Sequence, residues 1–362
     1  MTEPEDLPQR QEQAAAAEAS EPAQKPMSTF GKVWRGFLGL TVGLGFMALF
    51  AWWKNIDLKE VAHKASAVPV WAIAFCVVSA FIVLAFQALR WHLVMSPLLG
   101  LSYGDAYRAQ VIGQMFNAIL PARGGDLLRV QYLGRRSGKS RATILGTEVV
   151  DRWLDWWGWM PIIAVLSITS DMPAWIYKAV GAFGCLLVLW GGTMVILTRR
   201  GWKPKPGSKI GAIYDSFRTG VQLFRGRRTL GIALAVAPLC WAWEVIALVV
   251  ASRAFGIELT FGMAFSVLIG FNLAMVVPSA GGVGVVETGG TAALVFFHVD
   301  ETKALAFMFV YHFTQLLPAI AAGAGILAFE GEALFGKTSK APAAAPAIDA
   351  PKPEEPAPPA AP

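Results

Sequence analysis

The feature that most constrains this chain is a succession of apolar runs, each able to reach the ~20 residues of a bilayer-crossing helix once its polar ends are counted. They cover Gly36–Trp53, Ala65–Leu89, Trp156–Ser170, Ala179–Thr198, Thr229–Ser252 and Ala304–Phe329. The first ends on Trp52, Trp53 and Lys54, and the fourth on Arg199 and Arg200, the aromatic and basic residues that favour an interface. Over 362 residues the chain is 55% hydrophobic and 15% charged, whereas soluble domains carry about 25% charged residues. A water-soluble globule is therefore excluded. The pattern predicts an all-α polytopic membrane protein with six full spans.

Two further apolar stretches are broken. Ala109–Ala122 is too short to cross and runs into Pro121, Arg123, Gly124, Gly125 and Asp126; Leu259–Val286 is long but holds Pro278, Gly281, Gly282 and Gly284. Interrupted apolar segments of this kind form re-entrant helices, which persist where protein or water lines them. The two also repeat a pattern. Phe116-Asn117 precedes Pro121 and Gly124-Gly125, and Phe271-Asn272 precedes Pro278 and Gly281-Gly282. Each follows two predicted spans and precedes one, so the expectation is two re-entrant hairpins in inverted halves, about 30–198 and 199–339. The Arg/Lys-rich segments Arg129–Arg141 and Arg199–Arg228 should be cytoplasmic loops. The first hairpin then enters from the cytoplasm and the second from outside, with both termini inside. Lys54, Lys59 and Lys64 sit on the outer side in this topology, partly balanced by Asp57 and Glu60. Residues 1–29 and 340–362 read as disordered tails, the first acidic and Ala-rich, the second dominated by Ala and Pro. The first is not a signal peptide, because its acids precede the apolar stretch.

Several charges lie where a membrane chain needs a reason for them. Glu148, Asp151, Arg152 and Asp155 fall at i, i+3, i+4 and i+7, one face of a helix. Glu148 can pair with Arg152, while Asp151 and Asp155 need a base, for which Arg123 and Arg129 are the expected partners; the alternative is a solvated helix end at the headgroup level. Glu244 stands inside a span, where a charge costs ~2.5–3.5 kcal/mol on insertion scales; it reads as a cavity-facing proton site or a neutral packed acid. Glu287, after the second glycine cluster, reads as a site residue, a helix cap or an interfacial carboxylate. Glycine N–H groups at a half-helix start, with Arg123 and Arg129 beside them, would suit a phosphate. Lys209–Arg228 has the spacing of a basic amphipathic surface helix. Cys76, Cys185 and Cys240 lie in apolar runs and read as packing residues, no His or Cys spacing suits a metal, and no Lys-Ser/Thr follows the glycines, so no metal, nucleotide or other cofactor is expected.

Taken together, Arg90-Trp91; Asn117, Pro121, Arg123, Gly124, Gly125, Asp126 and Arg129; Glu148, Asp151, Arg152 and Asp155; and Pro278, Gly281, Gly282, Gly284 and Glu287 resemble the flippase-like transmembrane domain family of bacterial lysylphosphatidylglycerol synthase, the multiple peptide resistance factor. The resemblance spans about residues 34–330. Where that family often carries Tyr-Arg in its last span, this chain reads Tyr311-His312. The family's soluble aminoacyl-transferase domain has no counterpart here, so lysine transfer is not implied. The resemblance implies a bacterial inner-membrane protein that moves a lipid headgroup between leaflets.

The functional expectation is movement of an anionic lipid or lipid-linked headgroup through a cleft formed by Asn117, Pro121, Arg123, Gly124, Gly125, Asp126, Arg129, Glu148, Asp151, Arg152, Asp155, Glu244, Asn272, Pro278, Gly281, Gly282, Gly284 and Glu287. The expected partners are membrane lipids and enzymes of lipid synthesis, and not nucleic acid, because the bases sit in short loops between apolar spans. Two other classes stay open: a non-transporting scaffold for envelope lipid synthesis, and an intramembrane lipid-modifying enzyme. The latter lacks a nucleophile–base constellation.

Overall fold

The computed structural model describes residues 51–53, 55–120, 124–169, 174–200, 227–275, 277 and 279–330, with isolated positions at 45, 48, 49, 214, 218, 219 and 221. Most of the expected first span, the two tails, nearly all of the expected surface helix 209–228, and Pro121, Arg123 and Pro278 lie outside the described residues. Every regular element among those described is helical. In chain order they are α1 (Leu58–Ser66), α2 (Val70–Leu99), α3 (Tyr103–Ile119), α4 (Gly125–Ser137), α5 (Arg141–Trp157), α6 (Trp159–Thr169), α7 (Ala174–Arg200), α8 (Arg227–Arg253), α9 (Phe261–Ala274), a 3-10 turn (Ala280–Gly282), α10 (Val285–Phe296) and α11 (Glu301–Glu330).

Three helices, α2, α8 and α11, are long and apolar enough to cross a membrane, and shorter apolar helices occur at Gly181–Ile196, Phe261–Ala274 and Ala280–Phe296. The boundaries differ from expectation in ways that local chemistry explains. The run expected at Ala65–Leu89 begins at Val70, after Pro69, and continues through Arg90 and Trp91 to Leu99. A base normally marks a span's end, but Arg90 is neutralised inside the protein, so the helix goes on. It stops at Gly100, which adopts φ +65°. Ser102 and Asp105 then form a capping box that starts α3 six residues before the apolar stretch. Arg129 is not in a loop: the segment assigned to a cytoplasmic connection is helical to Ser137, and Arg129 is buried in it. Within the run at Trp156–Ser170 a turn at Gly158 divides α5 from α6, so its first two residues close α5.

Two helical hairpins result, α3–α4 and α9–α10, the arms of each packed on one another. In membranes such packing relies on small residues that let backbones approach. At Gly125 an added Cβ would stand 2.0 Å from the Gly113 carbonyl oxygen, and at Gly289 one would stand 2.7 Å from that of Gly270. Helices α2 and α8 pack together, and two large apolar cores form, each drawing mainly on one half. Trp91, Ile112, Leu133 and Leu154 centre the first; Phe265, Leu268, Val286 and Phe307 centre the second.

Helix α11 relates the hairpins. At about 1.5 Å per residue its 30 residues extend about 45 Å. Its last residue, Glu330, accepts from Arg136 at 2.8 Å and from the Tyr132 hydroxyl, and pairs with Arg108 at 3.5 Å, all at the open end of α3–α4. Its first residue, Glu301, follows the end of α10 by five positions, at the open end of α9–α10.

Candidate functional site

An ion-paired cluster joins α2, α4 and α5. The Arg90 guanidinium lies against both Asp151 oxygens, at 2.7 and 3.2 Å, and against Asp155 at 2.5 Å. On α4, Arg129 donates to Gln110 and Glu148 and sits 4.6 Å above the Trp91 ring. Arg152 completes the set, with Glu148 at 2.9 Å, Asp126 at 3.4 Å and Asp155 at 3.5 Å. Charges this deep persist only when each has partners and hydrogen bonds, because desolvation is costly and breaking one partner strands the other. The Glu148–Arg152 pair is as expected from spacing. Asp151 and Asp155 differ: their base is Arg90, which the sequence placed only at a span's end. Arg129 serves Glu148 instead, and Arg123 lies outside the described residues.

The hairpin breaks are closed by side chains. Asn117 Oδ1 accepts the Gly125 N–H at 2.8 Å, while its amide donates to Asp126 at 3.0 Å. Glu287, wholly buried, accepts the Gly284 N–H at 2.7 Å through one oxygen and meets His312 Nδ1 at 2.9 Å through the other. These two glycine N–H groups therefore already have acceptors within the protein. Among the described residues Asn272 donates only to the Leu268 carbonyl of its own helix, at 2.8 Å. At the tip of the second hairpin Gly281 has φ +61°, and a Cβ there would lie 2.7 Å from the Ala118 carbonyl oxygen. Only glycine fits this contact between the two hairpin tips.

Beside that contact is a polar cavity of about 330 Å³. Gln87 enters from α2, Gln114 and Asn117 from α3, Glu244 from α8, and His312 and Gln315 from α11; Ser279, Gly281 and Gly282 line the break. The Tyr311 hydroxyl donates to Glu244 at 2.9 Å. Val83, Leu84, Phe271, Met275 and Leu316 supply much of the described lining; its polar part is amides, a hydroxyl, one carboxylate and one imidazole, with no Lys or Arg. A larger apolar cavity of about 1010 Å³ runs along the α8 face bearing Ala242, Val245 and Val249, against Ile162, Leu166 and Met263.

Of the residues expected to share a cleft, Asn117, Glu244, Gly281 and Gly282 line the polar cavity; Asp126, Arg129, Glu148, Asp151, Arg152 and Asp155 form the ion cluster; and Gly124, Gly125, Gly284 and Glu287 build the helix starts. Arg129, 1% exposed and engaged by Gln110 and Glu148, is a tie between helices and not part of the cavity wall. Gln87, Gln114, His312, Gln315 and Tyr311 were not expected as site residues. The available signal was a polar side chain at one position of an otherwise apolar run.

Outside the spans, Asp105 anchors the open end of the first hairpin, accepting from the Ser102 hydroxyl at 2.7 Å and from Arg136 at 2.9 Å. Burial opposes its ionisation, but hydrogen bonds from Ser102 and Arg136, with the Arg136 charge, outweigh that and hold its carboxyl below the usual aspartate value.

Residues 36–323 match the family described as the lysylphosphatidylglycerol synthase TM region. A UPF0104 membrane protein of Methanocaldococcus jannaschii is 24% identical over 218 residues, 58% of this chain and 91% of the relative. A second UPF0104 membrane protein, from Methanothermobacter thermautotrophicus, is 23% identical over 261 residues, 64% and 76% of the two chains. No solved structure matches the chain. A helical chain with both hairpin breaks and the ion cluster inside the matched region thus belongs to the lysylphosphatidylglycerol synthase transmembrane-region family of membrane proteins.

Proposed function

We propose that this protein moves a phosphate-bearing lipid or lipid-linked headgroup between leaflets through the cavity at the hairpin tips. The observation that carries the reading is the cavity itself: a space within an apolar helical body where four amide side chains stand among apolar ones, closed on one side by the contact of Gly281 with Ala118. A headgroup leaving water loses hydrogen bonds worth several kcal/mol in hydrocarbon, and Gln87, Gln114, Asn117 and Gln315 offer replacements. The apolar cavity along α8 gives hydrocarbon chains a neighbouring path. The phosphate itself is held by amide donors; Arg129 and the glycine N–H groups of the breaks fix the walls.

In this reading the chain has six spans and two re-entrant hairpins, each hairpin after two spans and before one in an inverted pair, between the tails 1–29 and 340–362. Both termini are cytoplasmic in a bacterial inner membrane. The placement of the two open ends at opposite ends of α11 supports the inversion. So does a matching set of ties. In the first half Arg90 links the long helix α2 to α5, and Arg129 links the hairpin arm α4 to α5. In the second half Glu244 links α8 to α11, and Glu287 links α10 to α11. The protein acts without catalysing a covalent change, and its partners are membrane lipids and the enzymes that make them.

Reconstitution tests this. Liposomes carrying the protein and a fluorescent phosphatidylglycerol should show protein-dependent exposure of inner-leaflet label to an external quencher. Replacing Gln114 and Gln315 together by Leu should slow it several-fold. Label confined to its original leaflet with the native protein contradicts the reading; changed lipid mass indicates an enzyme, and neither change with co-purifying synthases indicates a scaffold.

A further inference from the structure

The reading just given leaves the driving force open, and the wall of the polar cavity bears on it. An anionic headgroup there meets two ionisable side chains among the described lining residues, Glu244 and His312. Glu244 Oε2 accepts the Tyr311 hydroxyl at 2.9 Å. His312, the next residue on α11, holds Glu287 at 2.9 Å through Nδ1, and its Nε2 has no hydrogen bond among the described residues. Glu287 is fixed by its second bond, from the Gly284 N–H.

With both carboxylates ionised and the imidazole neutral, Glu244 in the wall and Glu287 behind His312 carry two negative charges. A phosphate would add a third in a space partly screened from water, where like charges a few ångströms apart repel by several kcal/mol. One proton on Glu244 removes a negative charge, and one on His312 turns the His312–Glu287 contact into an internally neutral ion pair with an N–H free for the phosphate. The remaining titratable groups around these side chains cannot serve in their place. From α5, Asp155 acts on Glu244 but is bound to Arg90 and Arg152, and Asp151 is bound to Arg90. From α2 and α8 come the thiols of Cys76 and Cys240. Helix α3 presents the amides of Gln114 and Asn117, and α9 presents Phe271.

We propose that proton uptake accompanies headgroup entry, with Glu244 and the His312–Glu287 pair as the proton sites, so that a proton gradient drives the lipid in the direction the protons flow. The proposal rests on the passage reading above and goes beyond it by naming the coupled ion. Linkage sets the size of the effect: each coupled proton changes the apparent headgroup affinity about tenfold per pH unit above the apparent pKa of the site.

The test uses the full chain in liposomes with fluorescent phosphatidylglycerol and an internal pH dye. Acidifying the compartment that faces the labelled leaflet should speed label transfer several-fold, and phosphatidylglycerol should be needed for protein-dependent proton entry. In E244Q, which keeps an acceptor oxygen for Tyr311, the response to the gradient should be lost. The native-protein arms decide the matter even if E244Q misfolds. Transfer at one rate under every gradient, with no lipid-dependent proton entry, overturns the coupling and leaves passage intact. No transfer under any gradient overturns passage, and coupling with it.

Discussion

Arg90 and Asp151 meet at 2.7 Å, 61 positions apart in the chain and each about 1% exposed. The pair ties the long helix α2 to α5. Removing the guanidinium in R90M leaves Asp151 buried and Asp155 with Arg152 as its remaining base. A stranded buried charge costs about 3–5 kcal/mol. R90M should therefore unfold at a markedly lower temperature in detergent, and R90M/D151L should recover much of the loss, because an apolar pair of similar volume needs no partner. Equal destabilisation in single and double variants would show that the pair is not what holds α2 to α5.

Asn117 and Asn272 occupy matching places in a repeated Phe-Asn pattern, yet the structure gives them different work. Asn117 caps α4 and holds Asp126, so N117A should cost about 0.5–2 kcal/mol, the usual range for a lost helix cap. Among the described residues Asn272 bonds only within its own helix, so N272A should change thermal stability by less than about 0.5 kcal/mol. Thermal unfolding of the two variants side by side checks this asymmetry.

The first hairpin closes through backbone. At Gly125 the added methyl of an alanine meets the Gly113 carbonyl oxygen and the Asn117 nitrogen, neither of which can rotate away. G125A should lose about 3 kcal/mol or fail to accumulate, the upper range for overpacking. G192A, with open space around its Cβ on α7, should be neutral or gain about 0.5–1 kcal/mol. Folded yield by size-exclusion chromatography separates the two.

Because the Asp105 carboxyl lies below its ordinary value, its contribution is complete above the unfolded-state value near pH ~4 and is lost as pH falls through the lower folded-state value. Unfolding curves of native protein and D105N, measured from neutral pH downward, should differ most at neutral pH and converge in acid. Curves that stay parallel would contradict the assignment.

The helical class, the spans now seen as α2, α8 and α11, and the two breaks at Pro/Gly clusters were legible in the sequence because bilayer length and helix breakers act locally. So was the Glu148–Arg152 pair, one helical turn apart. The partner of Asp151 was not: Arg90 follows an apolar run, which locally means an interface, and its neutralisation comes from a helix far along the chain. The extension of α4 through Arg129 was hidden for the same reason, since a basic segment reads as a loop until Gln110, Glu148 and Trp91 are known to surround it. In the sequence Glu287 reads first as a site residue, with a helix cap as one alternative, and the cap, three residues after Gly284, is what it forms. Its contact with His312 required the tertiary fold.

The proposed passage requires hairpins that open toward opposite faces of the bilayer and meet at their tips. Single cysteines replacing the exposed Lys139, beside the open end of α3–α4, and the exposed Glu258, beside that of α9–α10, report this directly in a chain carrying C76A, C185A and C240A. With a membrane-impermeant maleimide, K139C should react only from the cytoplasmic face and E258C only from the outer face. Labelling of both from one face would contradict the inverted arrangement and the passage built on it.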